Sequence, residues 1–267
     1  MSKYLQVFKI SFQQEFAYRL NFVMWRVRNV IQIFLVFYLW DAVFANPDRV
    51  VFGYDREKIL TYVFGLLTVK ALVLSARAMD IAGEISRGEL SNYLLKPLNY
   101  FNYWITRDIS SKALNLSFAI VETLILVIIL KPPFFIQSNL LAILGFLVTI
   151  SLAVFLFSLL LFIVSSLTFW MPEAGWGIHF LVTVVIVEFL SGALFPLDIL
   201  PGSLQNALYF TPFPYLIFFP LQVYLGNIGG LEFIKGLSIS VFWVVFLWFS
   251  MKAIWQKGLK EYQAYGR

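Results

Sequence analysis

Cysteine is missing from all 267 residues, and histidine occurs once, at His179. Disulfides, thiolate metal sites and cysteine nucleophiles are therefore excluded. There is no His-Glu-x-x-His pair and no Gly-x-Ser-x-Gly elbow, so catalysis by this chain alone is not expected. No Gly-x-x-x-x-Gly-Lys-Ser/Thr loop occurs either, so the chain is not expected to cradle ATP or to bind a cofactor or metal itself. Charge is scarce: 13% of residues are charged, against about 25% in a soluble domain.

What fills the space is apolar. Hydrophobic residues make up 60% of the chain and aromatics 19%, more than water can cover, so lipid is the expected solvent for most of the surface. The net charge of +5 would suggest nucleic acid in a polar protein. Here the basic residues gather in loops, as membrane orientation requires, and nucleic-acid binding is not expected. Roughly 20 apolar residues cross a bilayer, and the stretches of that length are Phe22–Phe44, Ile59–Met79, Ile109–Leu130, Leu140–Phe169, Trp176–Phe195 and Leu231–Ile254. The fold class is accordingly an all-α membrane protein of six transmembrane helices. Ahead of the first, Leu5, Phe8, Phe12 and Phe16 recur at helical spacing with Lys9, Gln13 and Arg19 between them. That pattern predicts an amphipathic interfacial helix over residues 1–21, followed by a membrane domain over 22–256 and a tail over 257–267. Polar residues interrupt Met1–Leu20, so no cleavable signal is expected. His179 is expected to be a helix-end side chain in the headgroup region.

Orientation follows the positive-inside rule. Of the 20 basic residues, 14 lie in the N-terminal segment, in or beside the loop after the second span, or in the tail. Arg49, Arg56, Lys58, Lys131 and Lys235 take the opposite side, and Lys70 lies inside a span. Both termini and the second loop are thus expected in the cytoplasm.

Two connections stand out. The second loop, Asp80–Arg107, mixes charge with Ile81, Ile85, Leu90, Leu94 and Leu95, one face of a short helix along the membrane that Pro97 would end. Residues 196–226 carry Pro196, Pro201, Pro212, Pro214 and Pro220. No straight helix accommodates these, so an external run of broken half-helices covered by protein is expected. Three ionisable residues, Lys70, Glu122 and Glu188, fall deep within spans, where facing lipid costs about 2.5–3.5 kcal/mol each. Counting about 1.5 Å per residue places Lys70 and Glu188 near mid-membrane. They could line a passage or merely lock helices together, and the residues leave both readings open.

The order of these features resembles the permease subunits of ABC type-2 exporters, in a branch of bacterial transport-system permeases. The stretch Glu84-Ile-Ser-Arg-Gly-Glu-Leu-Ser-Asn-Tyr-Leu-Leu-Lys-Pro97 resembles that family's signature after span two. Ser191-Gly-Ala-Leu-Phe-Pro-Leu-Asp-Ile-Leu-Pro201, with the later prolines of the same segment, resembles its Gly-x-x-Phe-Pro block.

The resemblance implies a division of labour. Two permeases, identical or homologous, would form the pathway in a bacterial inner membrane, and two separate cytoplasmic ATPase subunits would hold ATP and Mg²⁺. Glu84, Arg87, Gly88, Glu89, Leu95 and Pro97 would belong to a coupling helix docking on the ATPase. Lys70, Glu188 and Glu122 would lie along the pathway, and Gly192, Phe195, Pro196 and Pro201 would form the external re-entrant motif. The alternatives are a non-transporting scaffold or sensor and a lipid-modifying membrane enzyme. The latter needs a convergent acid, base or metal cluster, which the sequence does not show.

Overall fold

The computed structural model describes residues 2–17, 19–46 and 50–262. Arg49 and Arg267, assigned above to one side of the membrane and to the tail, lie outside these residues, as do the side chains of Phe16, Arg19 and Phe22. Among the described residues the chain is all-helical: α1 (Ser2–Ala17), α2 (Arg19–Val43), α3 (Arg56–Val73), α4 (Ala78–Ser86), α5 (Leu90–Leu94), α6 (Tyr100–Leu130), α7 (Leu140–Ser166), α8 (Gly175–Phe180), α9 (Glu188–Leu190), α10 (Gly202–Tyr209), α11 (Phe218–Tyr224) and α12 (Gly230–Glu261). A π-helical stretch, Leu181–Val187, joins α8 to α9.

Among the described residues, four helical runs are long and apolar enough to cross a membrane: Tyr100–Leu130, Leu140–Phe169, Pro172–Leu190 and Gly230–Glu261. Their outer faces suit lipid. On α6, for example, Ile120, Val121, Leu124, Ile125, Ile128 and Ile129 are all exposed. α3 is built differently, with buried residues from Ile59 to Val73 on every side of the helix. A helix buried all round is a core helix, and α3 is the central pillar against which α2, α6 and α7 pack.

Several boundaries move relative to the sequence reading. α3 ends at Val73 rather than at Met79, because the Lys112 ammonium takes the carbonyls of Val73 (3.1 Å) and Ser75 and satisfies a helix end that further turns would otherwise satisfy. Lys70 therefore stands in the last turn of α3, where the helix dipole favours a cation, and not midway along a longer helix. The second loop is not one helix. Gly88 adopts φ +73, a conformation that glycine tolerates best, and separates α4 from α5. Ile81, Ile85 and Leu90 are buried, but past the break Leu94 and Leu95 are exposed. α6 starts at Tyr100, nine residues before the predicted span at Ile109, with the Asn99 side chain accepting from the Asn102 amide as its N-cap. The N-terminal helix forms, but it lies against α6, where Ser110 donates to the Phe8 carbonyl. Phe8 and Phe12 are half-buried and Leu5 is exposed. His179 stands in the last turn of α8 and is buried.

Residues 196–226 are broken as expected, into two short 3-10 turns with α10 and α11 between and after them. Tyr215 through Phe219, Leu221, Val223 and Leu225 are buried, so protein covers this irregular backbone.

Candidate functional site

The pathway candidates are set by three helices and one irregularity. α3 brings Lys70, the π-helical stretch delivers Glu188 at its end, and the Lys70 Nζ lies 3.1 Å from Glu188 Oε1. Extra residues per turn in a π segment rotate the helix beyond it, and such segments are frequent at functional sites. Arg28 of α2 approaches the same carboxylate oxygen at 3.9 Å. The side chains of Lys70 and Glu188 are 19% and 14% exposed, so the pair is neither sealed nor in open solvent. Glu122 does not join them. It pairs with Arg26 at 3.1 Å, and Arg26 also donates to the Asn115 carbonyl and side chain, both at 2.8 Å. That arrangement ties α2 to α6.

The loop residues divide into a buried half and an exposed half. Glu84, expected on a docking face, is buried. It accepts from Arg107 Nη1 at 2.9 Å and from the Tyr100 hydroxyl at 2.6 Å, while Arg107 Nη2 reaches Asp80 at 2.7 Å. A carboxylate with two such donors inside protein is a fastener between α4 and α6, not a docking group. Arg87 and Glu89 pair with each other at 3.1 Å and are 63% and 48% exposed. The hydrogen bond to Glu89 raises the Arg87 pKa above its ordinary value. Leu95, 86% exposed, continues this surface, and the Pro97 carbonyl accepts from Lys3 at 3.2 Å. Sequence reasoning counted Arg107 and Lys112 only as orienting charges and did not single out Asp80 or Asp108. Asp108 accepts from the Arg77 backbone N–H (3.3 Å) and from Ser158 of α7 (3.0 Å). The Asn99 cap after Pro97 was the available signal that α6 already contains Arg107, Asp108 and Lys112.

A profile described as ABC-2 family transporter protein matches residues 30–266. The chain belongs to that family. Comparison with curated proteins gives no match. As an ABC-2 protein it is a multi-pass membrane permease component, of a family that partners ATP-binding subunits in general.

In this permease the Gly-x-x-Phe-Pro block makes a sharp reversal. Gly192 adopts φ +84, and its carbonyl accepts from the Tyr62 hydroxyl at 2.6 Å. A Cβ at this position would sit 2.8 Å from that hydroxyl. The Phe218 amide closes the turn onto the Ser191 carbonyl at 2.9 Å. Phe195 is half-buried, Pro196 buried and Pro201 exposed, and Pro201 caps α10. Below them is a polar knot that sequence did not reveal. Tyr54 donates to Asp198 at 2.6 Å, Gln222 donates to the same carboxylate oxygen at 2.9 Å and to Tyr54, and Gln205 holds the Asp198 carbonyl at 3.0 Å. Burial raises the Asp198 pKa, and the Tyr54 and Gln222 bonds pull it partly back down. On the α5 side, the Tyr262 hydroxyl accepts from the Ser91 amide at 3.3 Å, so α12 reaches past the bundle to the second loop. Among the described residues no group of three or more His, Asp or Glu side chains is placed to hold a metal ion.

Proposed function

We propose that this chain is the permease of an ATP-driven exporter. It spans a bacterial inner membrane six times, with both termini and the α4–α5 unit in the cytoplasm. α2 and α3 supply the two spans beyond the four apolar ones, and α3 tolerates its charges because protein rather than lipid surrounds most of it. Two such permeases, identical or homologous, enclose the pathway. Two separate ATPase subunits hold ATP and Mg²⁺ and dock on the exposed Arg87–Glu89–Leu95 surface, while the chain itself catalyses nothing.

One observation carries this reading. The α4–α5 unit is anchored by buried charges on one side and offers charged and apolar side chains on the other, which is what a rigid coupling element needs. The test is coexpression with a candidate ABC ATPase subunit from the same genome. The complex should copurify and hydrolyse ATP, whereas the permease alone should neither bind nor hydrolyse it; robust ATP binding by the permease alone would end the proposal. Cysteines placed at Asn92 and Ser203 in this cysteine-free chain test the orientation. An impermeant thiol reagent should label Ser203→Cys in intact cells and spare Asn92→Cys, and the opposite pattern would reverse the topology.

A further inference from the structure

We propose that Lys58, Asn227, Gln222, Asp198 and Tyr54 form a catch that holds the 196–226 segment shut over the Lys70 crevice, and that this catch works as one unit. The inference rests on the permease reading only for what the opening serves, not for the opening itself.

The crevice beside Lys70 has a volume of about 30 Å³, room for a water or two, so this conformation is closed to anything larger. Ala193 lines it together with Lys70 and Leu66. Ala193 belongs to the reversal that leads into residues 196–226, so enlarging the crevice on that side requires the segment to move. Apolar packing buries much of the segment, and one set of polar groups fastens its two ends. The Tyr54 hydroxyl, just before α3, donates to Asp198 near the start of the segment at 2.6 Å. Lys58, in the first turn of α3, donates to Asn227, just past the end of the segment, at 2.8 Å. Asn227 donates to Gln222 Oε1 at 2.8 Å, and Gln222 donates to Asp198 at 2.9 Å. The two ends of the segment are thereby tied to each other and to the head of α3.

The direction of this chain is set by its ends. An ammonium only donates and a carboxylate only accepts, so both amides are held in one orientation, each with its N–H toward Asp198. Hydrogen bonds aligned in this way polarise one another, which couples Lys58 to Asp198 although two amides lie between them. The chain also runs from the surface inward. Asn227 is exposed and Lys58 half-buried, whereas Gln222 and Tyr54 are buried. Water can replace the outer bonds at little net cost, so opening starts at Asn227. Gln222 is the link through which the outer and inner halves act on each other.

The test uses the purified full chain in dodecyl maltoside, without any ATPase, carrying Ala193→Cys as its single cysteine. Ala193 is 2% exposed, and where opening and closing are fast the rate of reaction with a water-soluble maleimide follows the open population. Tyr54→Phe should raise that rate about tenfold, the equivalent of about 1.4 kcal/mol for a hydrogen bond to a charged group. Gln222→Leu should raise it at least as much. Lys58→Met should raise it about threefold, as for one ordinary hydrogen bond, and Lys58→Arg should leave it near the parent value. The decisive variant combines Lys58→Met with Gln222→Leu: with the link already cut, the Lys58 change should add nothing. Ala119→Cys, fully buried on α6, reports general loosening and should stay unreactive in every variant. Ser191→Cys, fully buried in the same reversal, replaces Ala193→Cys if the latter does not fold. Effects of Lys58 and Gln222 that multiply would overturn the proposal, because Lys58 would then act outside the chain. So would rates indifferent to all the variants, or an equal acceleration at Ala119→Cys, which would show that the chain stabilises the whole protein rather than holding one segment. Since no ATPase is present, failure here leaves the permease reading standing, and failure to assemble with an ATPase leaves this one standing.

Discussion

Replacing Arg107 with methionine strikes the joint between the α4–α5 unit and the membrane bundle. Arg107 and Glu84 are 9% and 5% exposed. With the guanidinium gone, Glu84 keeps only the Tyr100 hydroxyl at 2.6 Å, and Asp80 stands one helical turn away with the same charge. Breaking a buried pair by removing one partner costs about 3–5 kcal/mol, because the survivor stays buried and uncompensated. Glu84→Gln is milder. It keeps a carbonyl oxygen for Arg107, which also retains Asp80 at 2.7 Å, so a loss of about 1–3 kcal/mol is expected, the range for weakening a charged hydrogen bond. The double variant buries no unpaired charge and should cost less than the sum of the two by about 2 kcal/mol. Reversible unfolding in mixed micelles of increasing SDS fraction, followed by tryptophan fluorescence, measures all four species of the cycle. Effects that add within about 0.5 kcal/mol would show the pair to be energetically independent and refute the fastener.

Arg87→Glu probes the exposed half of the same unit. Surface pairs contribute about 0–1 kcal/mol, so stability should hold while association with the ATPase weakens, as read by copurification yield. Glu188→Gln should cost more than Lys70→Met in the same SDS assay. The first leaves Lys70 without its carboxylate, whereas the second leaves Glu188 with Arg28 at 3.9 Å; the reverse order would show that Arg28 does not share the carboxylate. Asp198, whose folded pKa is raised above its ordinary 3.8 chiefly by burial, makes stability pH-dependent with a definite sign. The native state binds its proton more tightly than the unfolded chain, so stability falls as pH rises from about 3.8 through the raised pKa and is flat above it. Asp198→Asn should flatten that stretch of the melting-temperature profile, and an unchanged profile would assign the titration to another group.

Features that depend on neighbours in sequence were the legible ones. Leu130, Leu140 and Phe169 end or begin helices where the apolar runs do, because lipid-facing helices must be apolar throughout. The prolines of residues 196–226 fall where proline is tolerated. Pro196 and Pro201 precede helical turns, and Pro220 lies in the first turn of α11, where its missing N–H costs nothing. Lys70 and Glu188 were recognisable as charges that need partners because each falls within a span, but Lys70 was read as midway along a helix running to Met79, whereas it stands in the last turn of α3. What stayed hidden depends on contacts across long stretches of chain. Tyr54, Asp198 and Gln222 meet although Tyr54 and Asp198 are separated by 144 positions, and nothing local to any of them announces the others. Glu84 looked like a solvated residue because its neighbours Arg87 and Glu89 are, and only the partner 23 positions away shows otherwise.

A single stretch of α6 explains why so many charges are committed at one end of the bundle. Arg107 holds α4 through Glu84 and Asp80, Asp108 holds α7 through Ser158 and the start of α4 through the Arg77 amide, and Lys112 takes the carbonyls that end α3. These are charge-assisted bonds to groups that packing holds in place, stiffer than dispersion contacts between lipid-facing helices. Lys70 lies three residues before Val73, on the same terminal turn of α3 that Lys112 clamps. A displacement of α4 therefore has little freedom to dissipate before it reaches Lys70. At the other side of the Lys70–Glu188 contact the backbone is π-helical, a geometry with less favourable packing along the helix than the α-form. The stiff segment thus ends against a π-helical stretch, whose C-terminal neighbour is Glu188.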